Sequence, residues 1–487
     1  MAQQGSHTNS HGGHAFTHLN ALEKEGVRVV SRRGVLKASL MGLGGLTVPE
    51  LFRQQAEAKS AGRSSARKKS VILLWMSGGP SHIDTWDPKP ERTWLNRGPF
   101  ETIQTKLPGV FICEHLPKQA AMLDKFTIIR SVDCAKSSHE PNMVMQTGHR
   151  MAAPRTNPKG RMYPSLASLI AKFKGPNDAS MPPYVAFNKG SSHIAGSGYL
   201  GKAYDPFQGN TVSAVPKYDL VGNFQGINKP AGVFKLLGNL SQKRVYDRSA
   251  LSSSLDRLRS DIDQDGSMAA LDFYNQQAID MVIGQKAQNA FDISQESPET
   301  HAKYGKHGWC QKAMLARRLV EHGVNFVTID LSYHTSSGTW DNHGDNIPPY
   351  GGISKGLGPL LPTFDHLITT LVTDLEERGI LDDTLVVAMG EFGRSPTMGT
   401  QGSTDGRNHW PVVMSMCLAG GGFRHGQVIG ASQKDGSRIK ERPVTPGDLS
   451  ATIFHHMGVP LETNYIDNRG RPIPIVQENG MPLTEII

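Results

Sequence analysis

Cysteine is scarce in this chain: four in 487 residues, at positions 113, 134, 310 and 417, with no CxxC pair. That excludes the usual thiolate zinc clusters. It leaves one disulfide open in an oxidising compartment, with Cys417, inside an apolar strand, expected as a buried thiol. Long apolar runs are missing too. The segment from Ala38 to Val48 falls well short of the roughly 20 residues a spanning helix needs. The folded part has no Lys/Arg run with interleaved aromatics, which argues against a nucleic-acid partner. Internal repeats and sustained low-complexity tracts are absent as well.

What is there is a chain long enough for a substantial core, 38% hydrophobic and 20% charged, with 52 Gly and 30 Pro that imply long structured loops. The net charge is +8, and much of the basic excess lies near the start. Ser31-Arg32-Arg33-Gly34-Val35-Leu36-Lys37 is a twin-arginine pattern, followed by the weakly apolar segment and by Ala56-Glu57-Ala58, a small-x-small cleavage site. Residues 1–58 therefore read as a twin-arginine signal peptide with a long leader that carries His7, His11, His14 and His18. Residues 59–69 read as a basic spacer. The expected partner during export is the twin-arginine translocase, the expected location periplasmic or extracellular, with no membrane span left after cleavage.

From residue 70 the pattern is α/β. Apolar strands are expected at Val71–Met76, Thr127–Val132, Pro183–Phe187, Asn325–Leu331, Thr384–Met389 and Val412–Leu418, with helices at Trp309–His322 and Asp365–Arg378. Nearly continuous apolar strands alternating with helices predict a mostly parallel sheet covered on both faces. Residues from about 230 to 300 read as a polar helical insertion, with Leu251, Leu255, Leu258 and Ile262 at helical spacing.

Four constellations carry chemistry, and ligands in such folds gather beyond the carboxyl ends of strands. The first is Gly78-Gly79-Pro80-Ser81-His82-Ile83-Asp84-Thr85-Trp86-Asp87, where a carboxylate after the first strand could hold a cation; an ordinary turn is the plainer account. The second is Ser137-Ser138-His139-Glu140-Pro141-Asn142, ahead of an apolar stretch ending Thr147-Gly148. Helix capping explains it, and so does a nucleophilic hydroxyl at a helix N-terminus. The third is Asp341-Asn342-His343-Gly344-Asp345, three potential ligands in five residues, with Asp330 and His334 competing for the role. The fourth is Gly390-Glu391-Phe392-Gly393-Arg394-Ser395-Pro396 followed by Gly406-Arg407-Asn408-His409-Trp410-Pro411. Glu391 and His409 are ligand candidates there, and Arg394 and Arg407 suit the oxygens of a tetrahedral anion.

These pieces, in this order, resemble the alkaline phosphatase/sulfatase superfamily, and more closely the exported domain of unknown function family 1501, over roughly residues 70 to 460. The resemblance implies a three-layer α/β/α sandwich over 70–487. It also implies metal ligands at Asp84, Asp341, His343, Glu391 and His409, a nucleophile at Ser138 (Ser137 or a water being alternatives), and catalytic roles for His139 and Arg394. Asp341, His343 and His409 would take Zn, Mn or Fe; the oxygen-rich pair Asp84 and Glu391 would take Mg, Ca or Mn, giving one or two divalent ions. Phe392 stands where a ligand is common, and Asn142 where sulfatases have Arg, which argues against a formylglycine mechanism. The expected activity is hydrolysis of phosphate or sulfate esters, on a small-molecule or polysaccharide substrate. The alternative is a secreted, non-catalytic binding protein that keeps the fold and a structural metal; a mutase of the phosphoglycerate type fits poorly with export.

Overall fold

A computed structural model of the chain describes residues 68–138, 143–187, 193–213, 216–218, 224–227, 285–333, 338–346 and 350–487. The signal peptide, nearly all of the spacer, His139, His334 and residues 228–284 of the expected insertion lie outside the described residues.

The centre is an eight-stranded sheet. Its strands in chain order are β1 (Ser70–Trp75), β2 (Phe126–Val132), β3 (Tyr184–Phe187), β4 (Phe207–Gln208), β5 (Phe326–Asp330), β6 (Thr384–Met389), β9 (Met414–Gly420) and β10 (Gln427–Ile429). A separate two-stranded ribbon, β7 (Gly393–Arg394) and β8 (His409–Trp410), lies between β6 and β9 in the chain. The spatial order is β10-β2-β9-β6-β1-β5-β3-β4, and only β9 runs against its neighbours. This is the mostly parallel arrangement that continuous apolar strands predict. Strand β9 begins two residues later than its apolar run, because Pro411 to Val413 form the turn out of the ribbon.

Each central strand is buried on both faces, and its alternate side chains enter two separate cores. Ile72 and Leu74 of β1 join Val386 and Ala388 of β6 in one core, beneath α2 (Gly308–Glu321) and α3 (Gly358–Glu377). Val71, Leu73 and Trp75 join Leu385, Val387 and Met389 in the other, beneath α1 (Leu166–Phe173) and α4 (Pro446–Met457). The result is a three-layer α/β/α sandwich. The described tail of the insertion, helices Gln285–Phe291 and Pro298–Tyr304, contributes Ala287, Ala290, Phe291 and Tyr304 to the first core. Cys113, Cys134, Cys310 and Cys417 are all buried free thiols rather than disulfide partners, and burial pushes each up to about 12.

Among the described residues, no helix is long and apolar enough to cross a membrane.

Candidate metal centre

β1, β5 and β6 are parallel, so their carboxyl ends share one edge, and the loops leaving that edge build the site. The loop after β5 folds back over β1: the Trp340 backbone N–H donates to the Ser77 carbonyl at 2.9 Å, and its indole N–H to the Leu331 carbonyl at 2.9 Å. Gly78 permits the crossing. It sits at φ +117, and a Cβ there would come within 2.3 Å of the Asp341 backbone nitrogen. Only glycine tolerates both demands at no steric cost. Asp341 is thereby set over the end of the central strand.

The ribbon brings the second half. Arg394 pairs with His409 in its register. The Arg394 guanidinium, fully buried, donates to Asp341 Oδ1 at 2.8 Å, to the Gly79 carbonyl at 2.7 Å, to the Arg407 carbonyl at 3.2 Å, and to the Gly78 carbonyl. It is thus committed to holding the glycine turn, Asp341 and the ribbon together, not presented to a substrate oxygen as the sequence led us to expect. Arg407 is committed in the same way. It forks onto Asp84 at 2.6 and 3.2 Å and donates to the carbonyls of Asn96, Ser395 and Pro396.

Asp341, His343 and His409 converge. His343 Nδ1 lies 2.6 Å and His409 Nε2 3.6 Å from Asp341 Oδ1, and the ligand atoms of all three lie within 4.8 Å of one another. The His409 side chain is 33% exposed against 1% for Asp341, so the cluster opens to solvent on the His409 side. Tyr350 lies against the His343 ring and Phe392 against the His409 ring, at centroid distances of 4.9 and 5.1 Å. Among the described residues this is the one group of three or more metal-capable side chains so gathered. One carboxylate and two imidazoles suit a borderline divalent ion. Two ligands of a tetrahedral ion at about 2.1 Å stand about 3.4 Å apart, close to the Asp341–His409 separation. The shorter Asp341–His343 contact is a hydrogen bond that would have to open. With that adjustment the residues fit a single ion with an open position.

The other expected ligands lie elsewhere. Asp84 is buried with both oxygens in the Arg407 fork and with the Ser81 hydroxyl on Oδ2, so the cation it faces is a buried guanidinium. Glu391 is buried and accepts the Gly78 N–H at 2.8 Å. The second, oxygen-rich site was expected from the family resemblance, and a carboxylate bound for an arginine, as Asp84 is, looks the same in a sequence as one bound for a metal. Asp330 meets His193 Nδ1 at 2.8 Å, both fully buried. Sequence reading missed His193, and its Gly- and Ser-rich surroundings gave no signal for it.

Ser137 and Ser138 follow β2, which ends on the same edge of the sheet. The turn Cys134–Ser137 is closed by a 2.9 Å backbone bond, with Lys136 at φ +66. That conformation costs a non-glycine residue about 1–2 kcal/mol. Arg150 braces the turn through the Ala135 carbonyl at 2.7 Å and Asp133 at 2.8 Å. Ser137 is buried and Ser138 half-buried. The described helix spans only Val144–Thr147, with Met143 as its N-cap, so Ser138 does not cap it. His82 is fully buried, its Nε2 on the Gly436 carbonyl at 2.9 Å and its Nδ1 facing the Arg394 backbone N–H at 3.4 Å. Burial, only partly offset by the Asp87 charge, brings its pKa down to about 4. It is a neutral brace between two loops.

Among solved structures the chain is similar to the PsFucS1 sulfatase from Pseudoalteromonas sp., at 13% identity over 84% of this chain and 72% of that one, with a TM-score of 0.35. It is similar to Ps i-CgsB in complex with k-i-k-neocarrahexaose, at 11% identity over 81% and 73%, TM-score 0.38. It is also similar to the phosphonate monoester hydrolase SpPMH from Silicibacter pomeroyi, at 12% over 85% and 74%, TM-score 0.31. Likeness at this level carries no assignment of activity. The comparison with curated proteins found no match. The glycine turn, the Asp341 loop, the ribbon and the closing helix α4 all lie within residues 68–487, the stretch matched by the profile described as "Protein of unknown function (DUF1501)", and the chain belongs to that family.

Proposed function

We propose that the chain is an exported, metal-dependent hydrolase of phosphate or sulfate esters. The observation that carries this reading is the convergence of Asp341, His343 and His409 at the carboxyl edge of a parallel sheet, open to solvent at His409. These three residues would hold one divalent ion, with zinc, manganese or iron matching the donor set. When bound, such an ion polarises an ester oxygen and lowers the pKa of a coordinated hydroxyl or water. Arg394 serves by fixing Asp341, and Ser138, Ser137 or a water is the nucleophile. Export rests on the twin-arginine pattern at Ser31–Lys37, and places the protein in the periplasm or outside the cell.

A second reading, a secreted binding protein with a structural metal, is favoured by one observation: Asp84, Arg394 and Arg407 are all consumed by internal pairing. Elemental analysis separates the two, on wild type and an Asp341→Ala/His409→Ala variant, followed by a screen of aryl phosphate and sulfate esters. Near-stoichiometric zinc, manganese or iron, lost in the variant together with ester turnover, is the expected result. Bound metal without turnover would favour the binding protein. Wild type that binds no metal would overturn the hydrolase reading.

A further inference from the structure

After β10 the chain forms a hairpin, β11 (Ala431–Ser432) and β12 (Ile439–Glu441), whose tip lies beside the ribbon. Three successive carbonyls of that tip are held by three side chains of the site's framework. Asn96 Nδ2 donates to the Asp435 carbonyl at 2.7 Å, His82 Nε2 to that of Gly436 at 2.9 Å, and the Trp410 indole to that of Ser437 at 2.6 Å. Trp410 is the neighbour of His409, and the Asn96 carbonyl accepts from Arg407. The tip is therefore tied to the same framework that carries the site.

The fixed tip borders an open cavity of about 450 Å³ lined by Arg92, Gln433, Lys434, Asp435 and Lys440. Arg92 reaches it from the other side and is tied to Asn96 at 3.3 Å. Among the described residues, no carboxylate pairs with Arg92, Lys434 or Lys440. The one acid in the lining, Asp435, is engaged in its own turn with the Ser437 N–H at 3.0 Å and hydroxyl at 2.7 Å, and it also feels the Arg92 charge, without a salt bridge between them. Three cations and one carboxylate line the cavity, and among the described residues none of the three cations is in a salt bridge, so the surface keeps a net positive charge that attracts anions.

We propose that this hairpin cavity is an anion-binding subsite that engages a second negative group, sulfate or phosphate, on an extended substrate whose ester lies at the Asp341 cluster. Its role in turnover rests on the hydrolase reading; its binding does not. Calorimetry at low salt would use a heparin-derived tetrasaccharide for the sulfated arm, inositol hexakisphosphate for the phosphorylated arm, and maltotetraose as the uncharged control. The variants are Arg92→Gln/Lys434→Gln/Lys440→Gln, the Asp341→Ala/His409→Ala pair, and Lys159→Gln/Arg161→Gln/Lys202→Gln, which removes equal charge from exposed positions elsewhere. At least one anion is expected to bind wild type, with affinity about tenfold or more weaker in the hairpin variant and unchanged in the remote-charge variant. Which anion binds names the substrate class. Equal weakening in the remote-charge variant, weakening only in the cluster variant, maltotetraose binding as well as the anions, or no binding of either anion would each overturn it. Failure of the hydrolase reading shows separately, as missing metal or missing ester turnover.

Discussion

Arg394 and Arg407 each neutralise a buried carboxylate and tie up backbone carbonyls that a glycine-rich turn leaves without partners. A guanidinium can do this because its donors form a planar fork; an ammonium cannot span the same acceptors. Arg394→Lys should therefore strand at least one buried carbonyl, at about 1–3 kcal/mol each. A drop of roughly that size or more in unfolding free energy is expected from urea titration. Near-wild-type stability combined with lost ester turnover would instead return Arg394 to the role of a transition-state contact. At this scale the sequence was legible where residue type alone points to chemistry. Asp341, His343 and His409 are metal-capable wherever they stand, and the structure gathers them. It was not legible for Asp84, whose meaning depends on which cation the fold places opposite it, and that partner is 323 positions away.

Elements with strong apolar runs declared themselves. The expected strand Thr384–Met389 matches β6, because an apolar run without Gly or Pro, buried on both faces, has little freedom in its ends. Helix α3 shows the opposite. The helix expected at Asp365–Arg378 begins earlier, at Gly358, continuous with the turn Ile353–Leu357, and so takes in Pro359 and Pro362. Pro359 falls in the first turn, where the missing N–H has no partner to lose, but Pro362 lies inside the helix and is exposed. Pro362→Ala should restore one intrahelical bond without disturbing the core. After allowing for the greater freedom it gives the unfolded chain, it should stabilise by about 1–2 kcal/mol. A higher urea midpoint would confirm this; a lower one would mean that the proline-shaped entry to α3 is required. The antiparallel sense of β9 was beyond sequence reading altogether, since strand direction is set by the ribbon that precedes it and leaves no mark in the strand's own composition.

At the scale of the whole molecule, this fold carries several histidines that it does not let ionise. Burial lowers His82, His149, His307 and His456 to about 4, against an ordinary value near 6.5. Because the folded pKa lies below the unfolded one, the unfolded chain binds more protons between these values. Stability is therefore full above about pH 6.5 and falls as pH drops toward 4. His82 and His456 are nearly inaccessible, and together they set a slope of up to about 3 kcal/mol per pH unit in that window. Below it a second group takes over. Burial alone would raise Glu296, but hydrogen bonds from Arg317 and Arg318 bring it down to about 2, so its contribution is lost only in stronger acid. Urea midpoints measured from pH 8 to pH 4 should be level at first and then decline. His82→Gln, which can still donate to the Gly436 carbonyl, should flatten the decline by about one proton's worth, roughly 1.4 kcal/mol per pH unit at its steepest. A midpoint that stays constant to pH 4.5, or an unaltered slope in His82→Gln, would show that these rings are protonated and accommodated inside the fold. The neutral brace assigned to His82 between the ribbon and the hairpin tip would then have to be abandoned.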